Sequence, residues 1–135
     1  MKNKVLIIQA NYYKDISTAL LKSAKNELKN FAKINIISVP GVFEIPIVIS
    51  KNIKKYDGFV AIGCVIKGQT PHFDFISKST TDAIMNISVL SKKPVGNGII
   101  TCLNKNQAIA RGKKGREAAN ACLLYTSPSP RDLST

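Results

Sequence analysis

Eight consecutive residues, Phe59-Val-Ala-Ile-Gly-Cys-Val-Ile66, carry no charge and no alternation of polar with apolar side chains. A strand with one wet face alternates, so an unbroken apolar run of this length belongs to a strand covered on both faces, the condition of a parallel sheet between helices. The run is far shorter than the ~20 residues that a membrane-spanning helix needs. Lys4-Val-Leu-Ile-Ile-Gln9 repeats the pattern near the start, Ile34 to Val39 gives a shorter strand stopped by Pro40-Gly41, and Pro94 with Gly98-Ile99-Ile100-Thr101 marks the turn into a fourth.

Between these runs the apolar period changes. Ile16, Leu20, Leu21, Ala24, Leu28 and Phe31 fall on one helical face, with Asp15 as the expected N-cap. Glu44-Ile45-Pro46 opens a second helix ending near Ile53, since proline is tolerated in a first turn. Phe73, Ile76, Thr80, Ala83, Ile84 and Ile87 mark a long third helix. Strand and helix alternate throughout, which predicts an α/β single domain: a four-stranded parallel sheet flanked by helices on both faces, with working residues beyond the strands' carboxyl ends.

That domain is expected over residues 1–123. A last helix reads from Lys114, but Thr126-Ser-Pro-Ser-Pro-Arg-Asp132 cannot continue it, so residues 124–135 read as a non-native-looking, disordered tail resembling translated sequencing-adaptor read-through. With 135 residues, 44% of them hydrophobic, there is material for one core and not for two. The three cysteines, Cys64, Cys102 and Cys122, lie among apolar neighbours at spacings that suit neither zinc nor a disulfide framework, so buried free thiols and no metal are expected. The start of the chain does not read as a secretory signal, and a cytoplasmic setting is the expectation.

The formal net charge of +12 raises the possibility of a nucleic-acid partner. The lysines are scattered, however, in short pairs without interleaved aromatic residues, which favours a solvated basic surface that helps anionic substrates. His72 is the single histidine and stands beyond the central strand, where it serves either proton transfer near neutral pH or simply the start of a helix. Gly68 and Thr70, just before it, suit an anion site. Glu44, beside Phe43, suits hydroxyl and ring binding, or is a helix-start acid set by the dipole. Arg111 opens the basic segment Arg111-Gly-Lys-Lys-Gly-Arg116, where a guanidinium can grip phosphate or belong to a solvated charge run.

Three segments in chain order, Val39-Pro-Gly-Val-Phe-Glu-Ile-Pro46, Gly63-Cys-Val-Ile-Lys-Gly-Gln-Thr-Pro-His-Phe-Asp74 and Gln107-Ala-Ile-Ala-Arg111, resemble the lumazine synthase family, and the likeness runs from about Val5 to Cys122. The resemblance implies a flavodoxin-like fold and a transferase of riboflavin biosynthesis that needs no cofactor. Its reaction condenses 5-amino-6-(ribitylamino)uracil with 3,4-dihydroxy-2-butanone 4-phosphate, releasing phosphate and water. It further implies that Tyr12 stacks on the pyrimidine and that Val42, Phe43 and Glu44 hold the ribityl chain and ring. Cys64, Val65 and Ile66 would offer backbone contacts, Gln69, Thr70 and Arg111 would bind the ketone's phosphate, and His72 would move protons. Asn97 stands where many members carry a phenylalanine from a neighbouring subunit and is kept as a binding candidate. The segment between Arg111 and Lys114 is shorter than the commonest pattern, which leaves the role of Lys114 open. The expected assembly is a homopentamer or a multiple of one, with no nucleic acid and no membrane. A basic nucleic-acid-binding module and a shell protein that has lost its activity are the competing readings.

Overall fold

A computed structural model describes residues 3–70 and 72–125. Four strands, β1 (Asn3–Ala10), β2 (Ala32–Val39), β3 (Gly58–Ile66) and β4 (Val95–Cys102), form one sheet in the order β2-β1-β3-β4, and every neighbouring pair is parallel. Five helices connect and flank them: α1 (Lys14–Leu28), α2 (Ile45–Lys51), α3 (Phe73–Ser91), α4 (Lys105–Ala110) and α5 (Lys114–Tyr125). The expected α/β architecture is thus present, and β3, buried along its whole length, is central.

Successive residues of a strand point to opposite faces, and the two cores divide accordingly. Val5, Ile7, Val60, Ile62, Cys64 and Ile66 pack with Ile16, Leu20, Ala24 and Leu28 of α1 and with Ala118, Ala119 and Cys122 of α5. Leu6, Ile8, Phe59, Ala61 and Val65 pack on the other side with Ile45 and Ile49 of α2 and Ile84 of α3. Each large side chain withdrawn in this way contributes about 1.5–3 kcal/mol, so two-faced burial of β1 and β3 is the main source of stability.

Several local expectations are corrected. Asp15 is not the N-cap of α1: the cap is Tyr13, without a side-chain cap bond, and Asp15 sits inside the first turn, where its carboxylate still faces the positive end of the helix. Helix α1 stops at Leu28 rather than carrying Phe31, whose ring is exposed because the chain has already turned into β2. Gly98 lies within β4 and not in the turn before it. Helix α4, only six residues long, is too short to show a period. Its signal was a cap: the Asn104 side chain accepts from Gln107 N–H (2.9 Å), while Gln107 Oε1 accepts from Leu103 N–H (2.9 Å). Leu124 and Tyr125 are the last residues of α5, and the rest of the expected tail, from residue 126, lies outside the described residues.

All three cysteines are free and buried. Burial pushes the Cys64 thiol up to about 12, with Cys102 beside it adding to the effect, and burial pushes Cys122 up to about 12 as well. In the unfolded chain these thiols ionise in the ordinary range, so above it the unfolded state loses protons that the folded state keeps. Their contribution is complete below the ordinary thiol range and declines as pH rises toward about 12. The denaturation midpoint is therefore expected to fall between about pH 8 and about pH 10.5 more steeply in this chain than in a Cys64→Ser/Cys122→Ala variant. Equal slopes would remove the thiols from the alkaline response.

Candidate functional site

In this sheet the connection through α1 leads from β1 to one side, and the next connection, through α2, carries the chain across to β3 on the other. The carboxyl ends of β1 and β3 consequently flank a topological switch, where the outgoing loops diverge and leave a crevice. Tyr12 and Tyr13 leave β1 there, Val42 to Glu44 follow β2, and Lys67 to His72 follow β3. Asn11 N–H donates to Val39 O (2.9 Å) and Lys67 N–H to Cys102 O (2.9 Å), which ties these loops to the neighbouring strand ends.

Pairing of β3 with β1 runs only from Val5 opposite Gly58 to Gln9 opposite Ile62. From Gly63 to Ile66, β3 stays paired with β4 but has passed its ladder with β1, so one backbone edge of Cys64, Val65 and Ile66 borders the crevice. All three residues are buried, Val65 and Ile66 completely, and the N–H and C=O of Ile66 are bonded to the loop that follows, so the Cys64 end of this edge is the part nearest the surface for a planar polar ligand. Gly63 makes the approach possible: a Cβ there would stand 2.5 Å from Val42 Cγ1 and 3.1 Å from Ala10 Cβ. Val42 closes on the strand end as a result and fixes the short 3-10 turn that carries Phe43 and Glu44.

Glu44 Oε1 accepts from Gly41 N–H (2.9 Å), and Glu44 N–H donates to Gly41 O (3.2 Å). The carboxylate is therefore held at the start of its own turn, which gives it one direction while it remains partly exposed. The Phe43 ring is exposed and lies 6.4 Å from Phe75 across to α3. Tyr12 is exposed too, with its ring edge-on to Tyr13 at 4.9 Å.

The loop after β3 is held by Thr70. Its N–H donates to Ile66 O (2.8 Å), its Oγ1 accepts from Ile66 N–H (3.0 Å), and Tyr13 Oη lies 2.8 Å from the same oxygen. Gln69 N–H also donates to Ile66 O (3.1 Å), and the Gln69 side chain is exposed. His72 caps α3 in the left-handed region, φ 55° and ψ 43°, a conformation that costs a non-glycine residue about 1 kcal/mol or more and persists only where its surroundings impose it. The imidazole is exposed, and the His72 carbonyl accepts the first α3 bond, from Ile76 N–H (2.9 Å). Tyr13 is the residue that sequence reasoning missed. Its partner stands 57 positions away and reaches it only through the pairing of β1 with β3.

Arg111 follows α4 at the end of β4. One terminal guanidinium nitrogen donates to Thr101 O (2.9 Å) and lies 3.8 Å from Cys102 Sγ. It lines a cavity of about 810 Å³ with Thr101, Lys113, Lys114, Arg116 and Glu117 among others, so Lys114 does share the space of Arg111, although it also pairs with Glu117 at 3.2 Å. Arg116 is likewise paired, with Glu27 at 3.2 Å, so Arg111 and Lys113 supply the excess of positive charge that makes this an anion-attracting pocket.

Asn97 is not brought to these loops. It sits exposed on the edge strand β4, opposite Ala61 and about 16 Å before the strand's end at ~3.3 Å per residue, in a cleft with Thr81, Met85 and Val89 of α3. Its side chain accepts from Ile99 N–H (2.9 Å). Among the described residues no three His, Cys, Asp or Glu side chains gather as a metal site requires, and no helix is long and apolar enough to cross a membrane.

Comparison with known proteins gives one consistent result. The model of the family described as 6,7-dimethyl-8-ribityllumazine synthase matches residues 2–127. The chain is 43% identical over 133 residues to the 6,7-dimethyl-8-ribityllumazine synthase 1 of Rhodopseudomonas palustris, covering 89% of this chain and 82% of that protein. It is 44% identical over 139 residues to the 6,7-dimethyl-8-ribityllumazine synthase of Bartonella tribocorum, covering 96% and 92%. To that of Agrobacterium fabrum it is 42% identical over 135 residues, covering 90% and 91%.

Proposed function

Because the chain belongs to the 6,7-dimethyl-8-ribityllumazine synthase family, we propose that it catalyses the reaction for which the family is named, the lumazine-forming condensation of 5-amino-6-(ribitylamino)uracil with 3,4-dihydroxy-2-butanone 4-phosphate, a step of riboflavin biosynthesis. One observation carries the reading at the level of the site. The β1/β3 switch brings the end of β3 beyond its ladder with β1 together with aromatic rings, a carboxylate and the Thr70 hydroxyl, while the Arg111 guanidinium stands at the end of the next strand, β4. Tyr12 stacks on the pyrimidine, the main chain of Cys64, Val65 and Ile66 pairs with its polar edge, and Val42, Phe43 and Glu44 hold the ribityl chain. Gln69, Thr70 and Arg111 take the phosphate. His72 shuttles protons as the amine attacks the carbonyl, phosphate leaves and water is lost.

Holding two reactants in register lowers the barrier without any acid or base, so His72→Gln is expected to reduce kcat by about tenfold to a hundredfold and leave a rate well above the uncatalysed one. The check is fluorescence of the lumazine product formed from both substrates, against a blank without protein. No acceleration by the unaltered chain would remove the enzymatic reading, and loss of all acceleration in His72→Gln would contradict catalysis mainly by positioning.

The same proposal includes a homopentamer or a multiple of one. Phe75 is 64% exposed, Val89 68% and Leu90 84%, and with Phe43, Ile47 and Met85 they leave the outer surface of α2 and α3 apolar, which a neighbouring copy in a closed ring would cover. A neighbour would also bring an Asn97 to a site that a single chain leaves without it. A cytoplasmic setting accords with three free, buried thiols, which persist in a reducing compartment.

A further inference from the structure

We propose that Tyr13 is a positioning residue that turns the Thr70 hydroxyl proton toward the phosphate of the ketone substrate and couples that subsite to the one for the pyrimidine. The proposal rests on the reading of Thr70 as a phosphate contact.

A threonine hydroxyl has one proton and two lone pairs. Thr70 Oγ1 receives Ile66 N–H on one lone pair at 3.0 Å, and Tyr13 Oη stands 2.8 Å away. Two arrangements satisfy that geometry. If Thr70 donates to Tyr13, its only proton is used inside the protein, and the remaining lone pair meets an incoming phosphate oxygen with repulsion. If Tyr13 donates to Thr70, both lone pairs are filled and the Thr70 proton must point to an acceptor outside the pair. A phenol is the stronger donor of the two, and an anion in the crevice selects the second arrangement. Burial raises the Tyr13 pKa above its ordinary value, opposed in part by the Thr70 bond, so the phenol keeps its proton throughout the neutral range.

The ring has a second duty. Tyr13 is half-buried against the core shared by α1 and α5, and it meets Tyr12 edge-on at 4.9 Å with an interplanar angle of 84°. A single side chain thus touches the hydroxyl expected at the phosphate and the aromatic ring expected at the pyrimidine. The hydroxyl serves the first contact and the ring the second, so the two are separable by substitution.

Tyr13→Phe keeps the ring and removes only the donor. In steady-state assays of the purified chain, the KM for the phosphorylated ketone and the inhibition constant of inorganic phosphate are expected to rise together by about fivefold to tenfold, as for a weakened hydrogen bond to a charged group. The KM for the ribitylamino-pyrimidine should stay within about twofold, and Tyr13→Phe should add nothing further in a Thr70→Val background. Tyr13→Leu, which also removes the edge contact to Tyr12, should raise both KM values. Unchanged phosphate inhibition in Tyr13→Phe, or an equal rise in both KM values, would overturn the proposal in favour of a tyrosine that merely braces two loops. If Thr70→Val itself leaves the ketone KM unchanged, the phosphate role of Thr70 fails and the proposal with it. If Thr70→Val raises the ketone KM and Tyr13→Phe does not, only the role of Tyr13 is lost.

Discussion

Replacing Gly96 by valine is expected to cost about 3–5 kcal/mol, a large part of the 5–15 kcal/mol that holds a domain of this kind together. Gly96 pairs with Val60 in the sheet, and the backbone of α5 rides directly over it. A Cβ at this position would stand 1.9 Å from the carbonyl oxygen of Ala118 and 2.7 Å from its carbonyl carbon. Both are main-chain atoms, so no rotamer change relieves the clash and the helix has to withdraw by about an ångström. Withdrawal is opposed from the other side. Gly115 brings α5 so close to α1 that a Cβ there would lie 2.1 Å from Leu20 O. Helix α5 is wedged between β4 and α1, and moving it exposes Ala118, Ala119 and Cys122, all now buried. Gly68→Ala is the contrasting variant. Nothing lies within 4 Å of its Cβ, but φ is 83°, so it should cost only about 1 kcal/mol through backbone strain. Chemical denaturation of the two variants beside the unaltered chain measures the difference. A Gly96→Val midpoint equal to that of Gly68→Ala would mean that α5 is not seated as described.

These glycines mark the limit of what the sequence discloses. The strands were legible because burial on both faces of β3 demands an unbroken apolar run, and no other common arrangement tolerates one. Helices α1 and α3 were legible from their period. Gly98 reads as a turn residue although it lies within β4, because crowding from a neighbouring strand and a helix side chain leaves no mark on adjacent residues: its Cβ would meet Ala61 O at 2.9 Å and Ala118 Cβ at 3.2 Å, atoms distant in sequence. The same reason hid Tyr13. Candidate residues such as Glu44, Thr70 and His72 stand just beyond strand ends, a position that sequence order alone can assign, whereas the role of Tyr13 depends on a partner across the sheet. Asn97 is the reverse case, a candidate that the chain holds away from the other loops, opposite Ala61 and beside α3.

Arg111→Met is expected to raise the KM for the phosphorylated ketone by about a hundredfold, the largest effect on substrate binding from any single side chain of the site. A guanidinium offers five N–H donors in a rigid fork, and at Arg111 both the Thr101 carbonyl oxygen and the Cys102 sulfur engage the same terminal nitrogen. That anchorage fixes the plane of the fork at the end of β4 and leaves its outer donors for two parallel bonds to phosphate oxygens. Arg111→Lys keeps the charge and loses both the fork and its anchorage, so it should fall between, at about tenfold. The surrounding cations of the 810 Å³ cavity, Lys113, Lys114 and Arg116, supply attraction without direction, and removing any one of them should matter less. Steady-state assays in which each substrate is varied separately decide the matter. A selective rise in the ketone KM, with matching weakening of inhibition by inorganic phosphate, places the phosphate on Arg111. Equal rises for both substrates would instead make Arg111 a structural tie between α4 and β4, and a larger effect from Lys114→Met would move the anion toward the start of α5.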